Sequence, residues 1–401
     1  MVEKLSKHRL HVLTAMFVLI AFMLGCNEFM VVGNLSLIAK SYHESLSQIS
    51  WLVSAFAWTY AIVTPLLAIF TNKVHKYYLL IVLLIVFLTG TILSSCAPNI
   101  GWLLFSRIIT ASVAGMIESL LSVIVYQLSH NPKQRSMTIA WIYTGFSIAS
   151  VVGVPLGTFI ADHWRWQDAF IMCAVITTIA TIVAFMILPK NLQAGEGKYR
   201  DQVVIFQDKI IWYGIFFVIC GAATLYGYYT YIRPLVHQQL HFGLNSLSFI
   251  LLLLGVVDIL ANQVAGRIAV DNGFKKLRYV YVLNIVLLAL FGVMMQHQWT
   301  GIVWLFILGF TVAIFGSTAQ VFFLNEATEK YPSAINLAST FNAIFYNVGI
   351  ALSSMTAGQT LRFGGLSSLG WNSMAYCIGA TILCFILAKK IDERLSSLNF
   401  G

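Results

Sequence analysis

The chain has 401 residues, of which 59% are apolar and only 10% are charged, with a net charge of +9. A soluble protein of this length needs far more charge to cover its surface, so the composition excludes an ordinary soluble globular protein. Apolar stretches of about 18 to 26 residues recur throughout, long enough to cross the ~30 Å hydrocarbon core of a bilayer as helices. These stretches do not alternate apolar with polar residues, which excludes a transmembrane barrel. The composition therefore predicts an all-α membrane protein.

Twelve apolar runs follow one another along the chain, and each predicts one membrane-spanning helix. The first run is too long for the apolar core of a signal peptide and lacks a small-residue cleavage pattern, so we interpret it as the first span. The longest connection is polar and divides the chain into six runs plus six. This predicts bundles at 1–188 and 210–401 joined by a linker at 189–209. The runs occupy residues 11–33, 50–70, 77–96, 101–126, 136–161, 168–188, 210–236, 245–270, 278–295, 300–323, 333–359 and 370–389.

The basic residues are unevenly divided between the two sets of loops. If the N-terminus is cytoplasmic, 18 of the 24 Lys and Arg residues lie in cytoplasmic segments, and external loops contain only Lys40, Arg165 and Arg362. Loops rich in Lys and Arg stay in the cytoplasm, so the bias predicts cytoplasmic termini and a cytoplasmic linker. These residues would meet anionic lipid headgroups, which accounts for the net charge without a nucleic-acid partner.

The loops after the second and eighth runs resemble each other. "TPLLAIFTNKVHKYYLL" ends the second run and begins the third, and "NQVAGRIAVDNGFKKLRYV" does the same for the eighth and ninth. Each stretch is a helix end, a tight basic turn and the next helix. The repetition indicates an internal duplication, which predicts two pseudo-symmetric six-helix bundles with a binding site between them near the middle of the membrane.

Several stretches, in order, carry a family resemblance. The first span contains "NEFMVVGNL", the fourth begins "LLFSRIITASVAG", and the fifth contains "GFSIASVVGVPLGT" followed by "HWRWQDAF". The seventh contains "YTYIRP" and the eleventh "INLASTFNAIFYNVGIALSS". Over nearly its whole length the chain resembles the major facilitator superfamily, and within it bacterial proton-coupled exporters of drugs, sugars and purines, of the arabinose-efflux type. The resemblance implies the major facilitator fold, alternating access, and a proton-linked role for Arg107.

The chain departs from the family pattern in the loops that help to close the cytoplasmic gate. Asn72 stands where the first loop normally has an Asp, and His75 stands where it has a second Gly. In the second half Val270 replaces the expected acid, and Asp271 follows one residue late. Gly266 and Gly273 fit the pattern and are predicted to serve the conformational change. A gate that depends on charge pairing is therefore predicted to be weaker here.

Charged residues inside spans are costly and are candidates for function. Arg233 lies at a helix end, and all nine His residues lie at span ends or in loops, so carboxylates are the predicted proton carriers. Desolvation favours the neutral form of a carboxyl, which lets such a group take up and release a proton near neutral pH. Structural roles, such as ion pairs or interhelical hydrogen bonds, are the alternative for each. The candidates for proton coupling are Glu28, Arg107, Glu118 and Asp258.

Glu28 is the leading proton carrier, and Asn27 beside it is predicted to contact substrate. Glu118 is unusual, because relatives mostly have an apolar or aromatic residue there. It lies eleven residues after Arg107, or about 16 Å along a helix. Since the first span ascends and the fourth descends, Glu28 and Glu118 are predicted to lie at different depths. That would suit a relay or a substrate-contacting acid, and it argues against a single carboxylate pair. Asp258 and Asn262 are four residues apart and predict one polar stripe.

Tyrosines in "YGYYTYIRP" suggest substrate contacts on the seventh span. Tyr228 and Tyr231 share one helix face and Tyr226 and Tyr229 another. Aromatic rings with hydroxyls suit sugars, purines or flat drugs, although an interfacial aromatic belt is the alternative. We predict substrate contacts at Tyr228 and Tyr231. Asn342 and Tyr346, one turn apart on the eleventh span, are predicted to add to the cavity or to serve packing.

Small residues and a proline on the fifth span predict a mechanical role. Gly145, Gly153 and Gly157 allow close helix approach, and Pro155 removes a backbone donor and bends the helix. In a rocking transporter this span would lie where the two halves meet. Mere kinked packing is the alternative.

The sequence predicts a secondary transporter that exports a drug, a sugar or a purine nucleoside in exchange for protons, as a monomer in the bacterial cytoplasmic membrane. It contains no phosphate-binding loop, no metal-ligand cluster and no nucleophile–base pair, so neither an enzyme nor a cofactor is predicted. The six cysteines are scattered through apolar runs, which favours buried thiols. The alternatives are a proton-symport importer and a non-transporting sensor or lipid flippase on the same fold.

Overall fold

The computed structural model describes residues 7–44, 46–194, 199–270 and 272–399, and these ranges contain helices and turns but no β-strand. Ten described helices are long and apolar enough to cross a membrane. A shorter apolar helix, Ala55–Phe70, occupies the second predicted run. Two short helices, Gly273–Ala289 and Phe291–Met294, occupy the ninth. The prediction of an all-helical protein with twelve apolar runs in helices is confirmed.

The chain packs as two compact units, of which the first consists of Met1–Val203 and Ala327–Thr340. Asparagine side chains begin two of its helices, because Asn99 and Asn131 accept hydrogen bonds from the backbone N–H groups of Trp102 and Gln134, both at 2.9 Å. The helices are α1 (Lys7–Gly33), α2 (Leu35–Tyr42), α3 (Leu46–Phe70), α4 (Lys76–Ser95), α5 (Ile100–Leu128), α6 (Pro132–Ile148), α7 (Val154–His163), α8 (Trp166–Ile187) and α9 (Tyr199–Val203).

The second unit consists of Val204–Glu326 and Phe341–Gly401. Asp208 caps its first helix by accepting the N–H of Ile210 at 3.0 Å. Its helices are α10 (Lys209–Tyr229), α11 (Ile232–Pro234), α12 (Leu244–Ile268), α13 (Gly273–Ala289), α14 (Phe291–Met294), α15 (Gln298–Ala313), α16 (Phe315–Lys330), α17 (Ile335–Gly364) and α18 (Leu369–Asn399). The end of α16 and the start of α17 fall in the segment that packs with the first unit.

One face of α8 shows why these helices suit lipid. Ile171, Val175, Ile179 and Ile182 are 45–54% exposed and recur every three or four residues, so they form one continuous apolar stripe. Exposed apolar stripes are unfavourable in water but match the acyl chains of a bilayer, where all backbone groups are bonded within the helix.

The loop position that departs from the family pattern has a neutral hydrogen bond. The Asn72 amide donates to the backbone carbonyl of Ser333 at 3.1 Å, and the Ser119 hydroxyl donates to the carbonyl of Ser339 at 3.4 Å. Both carbonyls belong to Ala327–Thr340, within the first unit. Asp271, on the corresponding loop of the second half, lies outside the described residues.

The glycines of the fifth span pack against α1. A π-helical stretch, Ala149–Gly153, separates α6 from α7. A methyl group added at Gly145 would lie 2.6 Å from the Val18 carbonyl oxygen, one at Gly153 would overlap the sulfur of Cys26, and one at Gly157 would overlap Met30. The sequence placed this glycine face where the two halves meet. In the structure α1 of the same unit covers it, because only glycine lets the two backbones approach so closely.

Gly145→Ala is therefore expected to destabilise the protein by about 1–3 kcal/mol, because the added methyl group overpacks the contact with α1. Gly309→Ala is the matched control, since its methyl group would meet the Leu254 side chain at an ordinary 3.6 Å. There the better helix propensity of alanine should stabilise by up to about 1 kcal/mol. Thermal unfolding of the purified variants in detergent measures both. Equal midpoints for the two variants would contradict this account of the α1 contact.

The two glycines that fit the loop pattern of the second half, Gly266 and Gly273, lie at the junction of α12 and α13. Gly266 is buried in the last turn of α12. Gly273 begins α13, where an added methyl group would lie 2.6 Å from the Thr318 side chain. Their predicted part in the conformational change stays a prediction.

Candidate functional site

Arg107 is the central charged residue of the first unit. It projects from the first third of α5 and is 1% exposed. One terminal nitrogen donates to the carbonyl oxygen of Asn27 at 2.9 Å and to its side-chain oxygen at 2.7 Å, and the other donates to the carbonyl oxygen of Glu28 at 3.4 Å. The guanidinium also lies 4.3 Å from the centre of the Phe56 ring. Arg107 thus ties α5 to the backbone of α1 and contacts α3.

Asn27 is fully buried, and both ends of its amide are bonded within the first unit. Its oxygen accepts from Arg107, and its nitrogen donates to the Thr91 hydroxyl on α4 at 3.0 Å. That hydroxyl in turn donates to the Phe87 carbonyl. These bonds and the full burial of Asn27 support a role in positioning Arg107 and α1, while the predicted substrate contact at Asn27 stays a prediction.

Glu28 presents a partly exposed carboxylate next to this network. The charge of Arg107 acts on it, but in the described part of the chain the two side chains form no ion pair within 4.0 Å. Arg107 bonds the main-chain oxygen of Glu28 instead. The protonation state of the Glu28 carboxylate can therefore change without breaking any bond that holds α1 to α5.

Glu118 lies close to Glu28 in electrostatic terms. The Tyr60 hydroxyl, on α3, donates to a Glu118 carboxylate oxygen at 2.7 Å, and Tyr60 is 5% exposed while Glu118 is partly exposed. The charge of Glu28 acts on both Tyr60 and Glu118. Tyr60 and Glu118 therefore form one hydrogen-bonded pair on which the charge of Glu28 acts, and the predicted difference in depth between the two acids stays a prediction. Sequence reasoning missed Tyr60, because this residue lies in an ordinary apolar run.

Asp258 is the candidate acid of the second unit. It is partly exposed on α12, and the Asn262 amide donates to its carbonyl oxygen at 3.0 Å and to its carboxylate at 3.4 Å. This is the polar stripe expected from the four-residue spacing. The Asp258 charge acts on Tyr228, Tyr229 and Tyr346.

The predicted substrate tyrosines of α10 are divided by the structure. Tyr228 is 1% exposed and its ring centre lies 5.9 Å from that of Phe291, which favours packing in the bundle interior, and the predicted substrate contact stays a prediction. Tyr231 lies in the turn after α10 and is partly exposed. The opposite helix face, with Tyr226 and Tyr229, is the partly exposed one.

The two candidates on α17 also differ. Asn342 is 2% exposed, which favours packing over substrate contact. Tyr346 is partly exposed, with its ring 5.8 Å from those of Tyr226 and Phe315. The side chain of Arg233 lies outside the described structure.

The described residues do not bring together the ligand set of a metal site. No group of three or more His, Cys, Asp or Glu side chains that could hold a metal ion occurs there. All six cysteines are free thiols.

The fold and the charged interior of the first unit define a polytopic membrane transporter. The chain belongs to the Major Facilitator Superfamily, whose family model matches residues 17–354. It is 28% identical to the uncharacterized MFS-type transporter YtbD of Bacillus subtilis, covering 90% of this chain and 92% of the relative. It is 26% identical to a probable sugar efflux transporter of Helicobacter pylori, covering 88% and 90%. The crystal structure of FucP in the outward conformation matches with a TM-score of 0.74 at 13% identity, covering 93% and 98%.

Proposed function

We propose that the protein is a secondary active transporter that exports a small organic molecule in exchange for protons. The observation that carries this proposal is the pair of acids in the first unit: Glu118 accepts a hydrogen bond from Tyr60, and the charge of Glu28 acts on both of them. Both acids are partly exposed, and among the described residues neither forms an ion pair. Carboxylates inside a membrane protein that form no ion pair are suited to bind protons.

The proposed mechanism uses the charge repulsion between the two acids. When both are ionised, like charges in a low dielectric destabilise the conformation that brings them together. A proton on Glu28 removes that repulsion and changes the relative stability of the outward-open and inward-open states. Arg107 keeps α1 in position throughout, because its hydrogen bonds go to carbonyl and amide oxygens that do not titrate.

The proposal includes a direction of transport and a membrane topology, and each has its own support. Export is supported by the likeness to a relative named as a probable sugar efflux transporter. The bias of basic loops supports cytoplasmic termini in a bacterial cytoplasmic membrane. The bundles at 1–188 and 210–401, joined by the linker at 189–209, would rock about a central site in a monomer. The substrate is proposed among drugs, sugars and purine nucleosides.

Vesicles with an acidic interior test this function. If protons leave through the protein, a substrate added outside should accumulate inside, whichever way the protein is inserted. Pentoses, purine nucleosides and lipophilic cations form the panel, with protein-free vesicles as the control and an internal pH dye to follow protons. Accumulation that requires an alkaline interior would instead indicate symport. If no compound moves protons in either direction, the proton-coupling proposal is rejected.

A further inference from the structure

A second cluster, which we call the tyrosine corner, lies entirely within the second unit. It consists of Tyr226 and Tyr229 on α10, Tyr346 on α17 and Phe315 on α16. The ring centres of Tyr226 and Tyr229 are 5.8 Å apart at 72°, and those of Tyr226 and Tyr346 are 5.8 Å apart at 83°. The Phe315 ring stacks on Tyr346 at 15°. The Tyr226 ring thus stands at a steep angle to those of both Tyr229 and Tyr346, and Phe315 stacks beneath Tyr346.

The tyrosine corner is not ordinary interior packing. Phe315 is 1% exposed and serves as its floor, whereas Tyr226, Tyr229 and Tyr346 are each partly exposed. Other tyrosines of the same unit, Tyr228 and Tyr281, are fully buried. A group of polar aromatic side chains that keeps its surface accessible is suited to contact a ligand, because burial among apolar neighbours would remove that surface.

A carboxylate accompanies the rings. Asp258 on α12 is partly exposed, and its charge acts on Tyr229 and Tyr346. The Asn262 amide bonds the Asp258 carbonyl oxygen and carboxylate, which fixes the side chain toward one direction. The negative faces of aromatic rings and a carboxylate both attract a positive charge and both repel an anion.

We propose that the tyrosine corner and Asp258 bind an organic cation, an amine or quaternary ammonium group carried on an apolar or aromatic body. This narrows the proposed substrates to cationic compounds, and it rests on the proposed transport function for its biological role. Asp258 then provides the counter-charge for the ligand, while Glu28 and Glu118 of the first unit serve the proton. The carboxylates of the two units thus have different proposed roles, proton binding in the first unit and cation binding in the second.

Equilibrium binding tests this inference without any proton gradient. Radiolabelled tetraphenylphosphonium is the probe, with the full-length protein in nanodiscs of zwitterionic lipid and empty nanodiscs as background. The wild-type protein should bind the cation saturably, and triphenylphosphine oxide, a neutral molecule of related shape, should compete poorly. Asp258→Asn should weaken binding about tenfold, and Tyr346→Leu should weaken it roughly twofold to thirtyfold through loss of a cation–π contact.

Matched variants separate recognition from folding. Tyr346→Phe keeps the ring and should bind within about twofold of wild type, because the ring face carries the attraction. Asp168→Asn removes an acid of the first unit, at the start of α8, and should change nothing. The inference is overturned if wild-type protein does not bind the cation saturably, if the neutral compound competes equally well, or if correctly folded Asp258→Asn binds like wild type. A protein that binds the cation but moves no protons in vesicles rejects the proposed function and leaves the binding site standing.

Discussion

Glu28→Gln is expected to abolish uphill transport while leaving exchange of substrate for substrate intact. Glutamine has nearly the same shape and keeps the main-chain oxygen that Arg107 bonds, so the packing of α1 should survive. The side chain cannot release a proton, however, and the variant should behave as if permanently protonated. Conformational exchange would then proceed without coupling to protons.

The size of this effect follows from the gradient. For one proton exchanged per neutral substrate, a pH difference of about 2 units can support about a hundredfold accumulation, because each unit is worth about 1.4 kcal/mol. In Glu28→Gln the ratio should fall to about one, the equilibrium value for uncoupled transport. Radiolabelled substrate in vesicles with an acidic interior measures this ratio, and loading the vesicles with unlabelled substrate measures exchange.

Two further variants decide which acid carries the proton. Glu118→Gln keeps an oxygen that can accept the hydrogen bond from Tyr60, so it removes charge without removing the contact. It is expected to lower accumulation less than Glu28→Gln does, and the double variant should resemble Glu28→Gln alone. Should Glu28→Gln accumulate substrate like wild type while Glu118→Gln does not, the proton carrier is Glu118. Asp168→Asn again provides the matched loss of an acid.

Arg107→Met is expected to destabilise the first unit by about 3–5 kcal/mol, because it leaves buried polar groups without their charged donor. Three hydrogen bonds to Asn27 and Glu28 are lost, and methionine fills part of the volume but donates none of them. For a chain of this length the midpoint of thermal unfolding should fall by about 5 °C. Transport should be lost as well, since the Arg107 bonds fix α1 and with it the Glu28 carboxylate.

Two variants, Arg107→Lys and Arg165→Gln, serve as controls for Arg107→Met. Arg107→Lys keeps the charge but has a single terminal nitrogen, which cannot reach the three oxygens that the two arginine nitrogens bond. Its stability should therefore lie between those of wild type and Arg107→Met. Arg165→Gln removes an arginine that is 72% exposed and forms an ion pair with Asp168 three residues on, and it should change stability by no more than about 1 kcal/mol. If Arg107→Met and Arg165→Gln unfold at the same temperature, the Arg107 hydrogen bonds to α1 do not stabilise the first unit.

The loop of the first half shows how a departure from a family pattern can be interpreted only in three dimensions. From the sequence, Asn72 in place of an acid predicts a weaker, uncharged gate. In the structure the Asn72 amide donates to the Ser333 carbonyl, so the contact is a neutral hydrogen bond to the main chain. Such a bond contributes about 0.5–1.5 kcal/mol and does not depend on a partner's charge.

The sequence by itself determined the class of protein and the order and approximate positions of its apolar helices. A bilayer of fixed thickness dictates the length of each apolar run, and the hydrocarbon core makes every embedded charge conspicuous, so Glu28, Arg107, Glu118 and Asp258 could be singled out from the order of residues alone. It also indicated the family, because several short motifs occur in the same order over nearly the whole chain.

Only the tertiary structure decided which of these residues act together. Arg107 bonds Asn27 across 80 residues of chain, and Tyr60 bonds Glu118 across 58. Helical periodicity relates neighbours within about one turn and carries no information across such distances. Sequence periodicity could therefore not show which tyrosine face of α10 is covered, and it overlooked Tyr60. The choice between the two tyrosine faces of α10 depended on which neighbouring helices cover them, and that is a property of packing between helices.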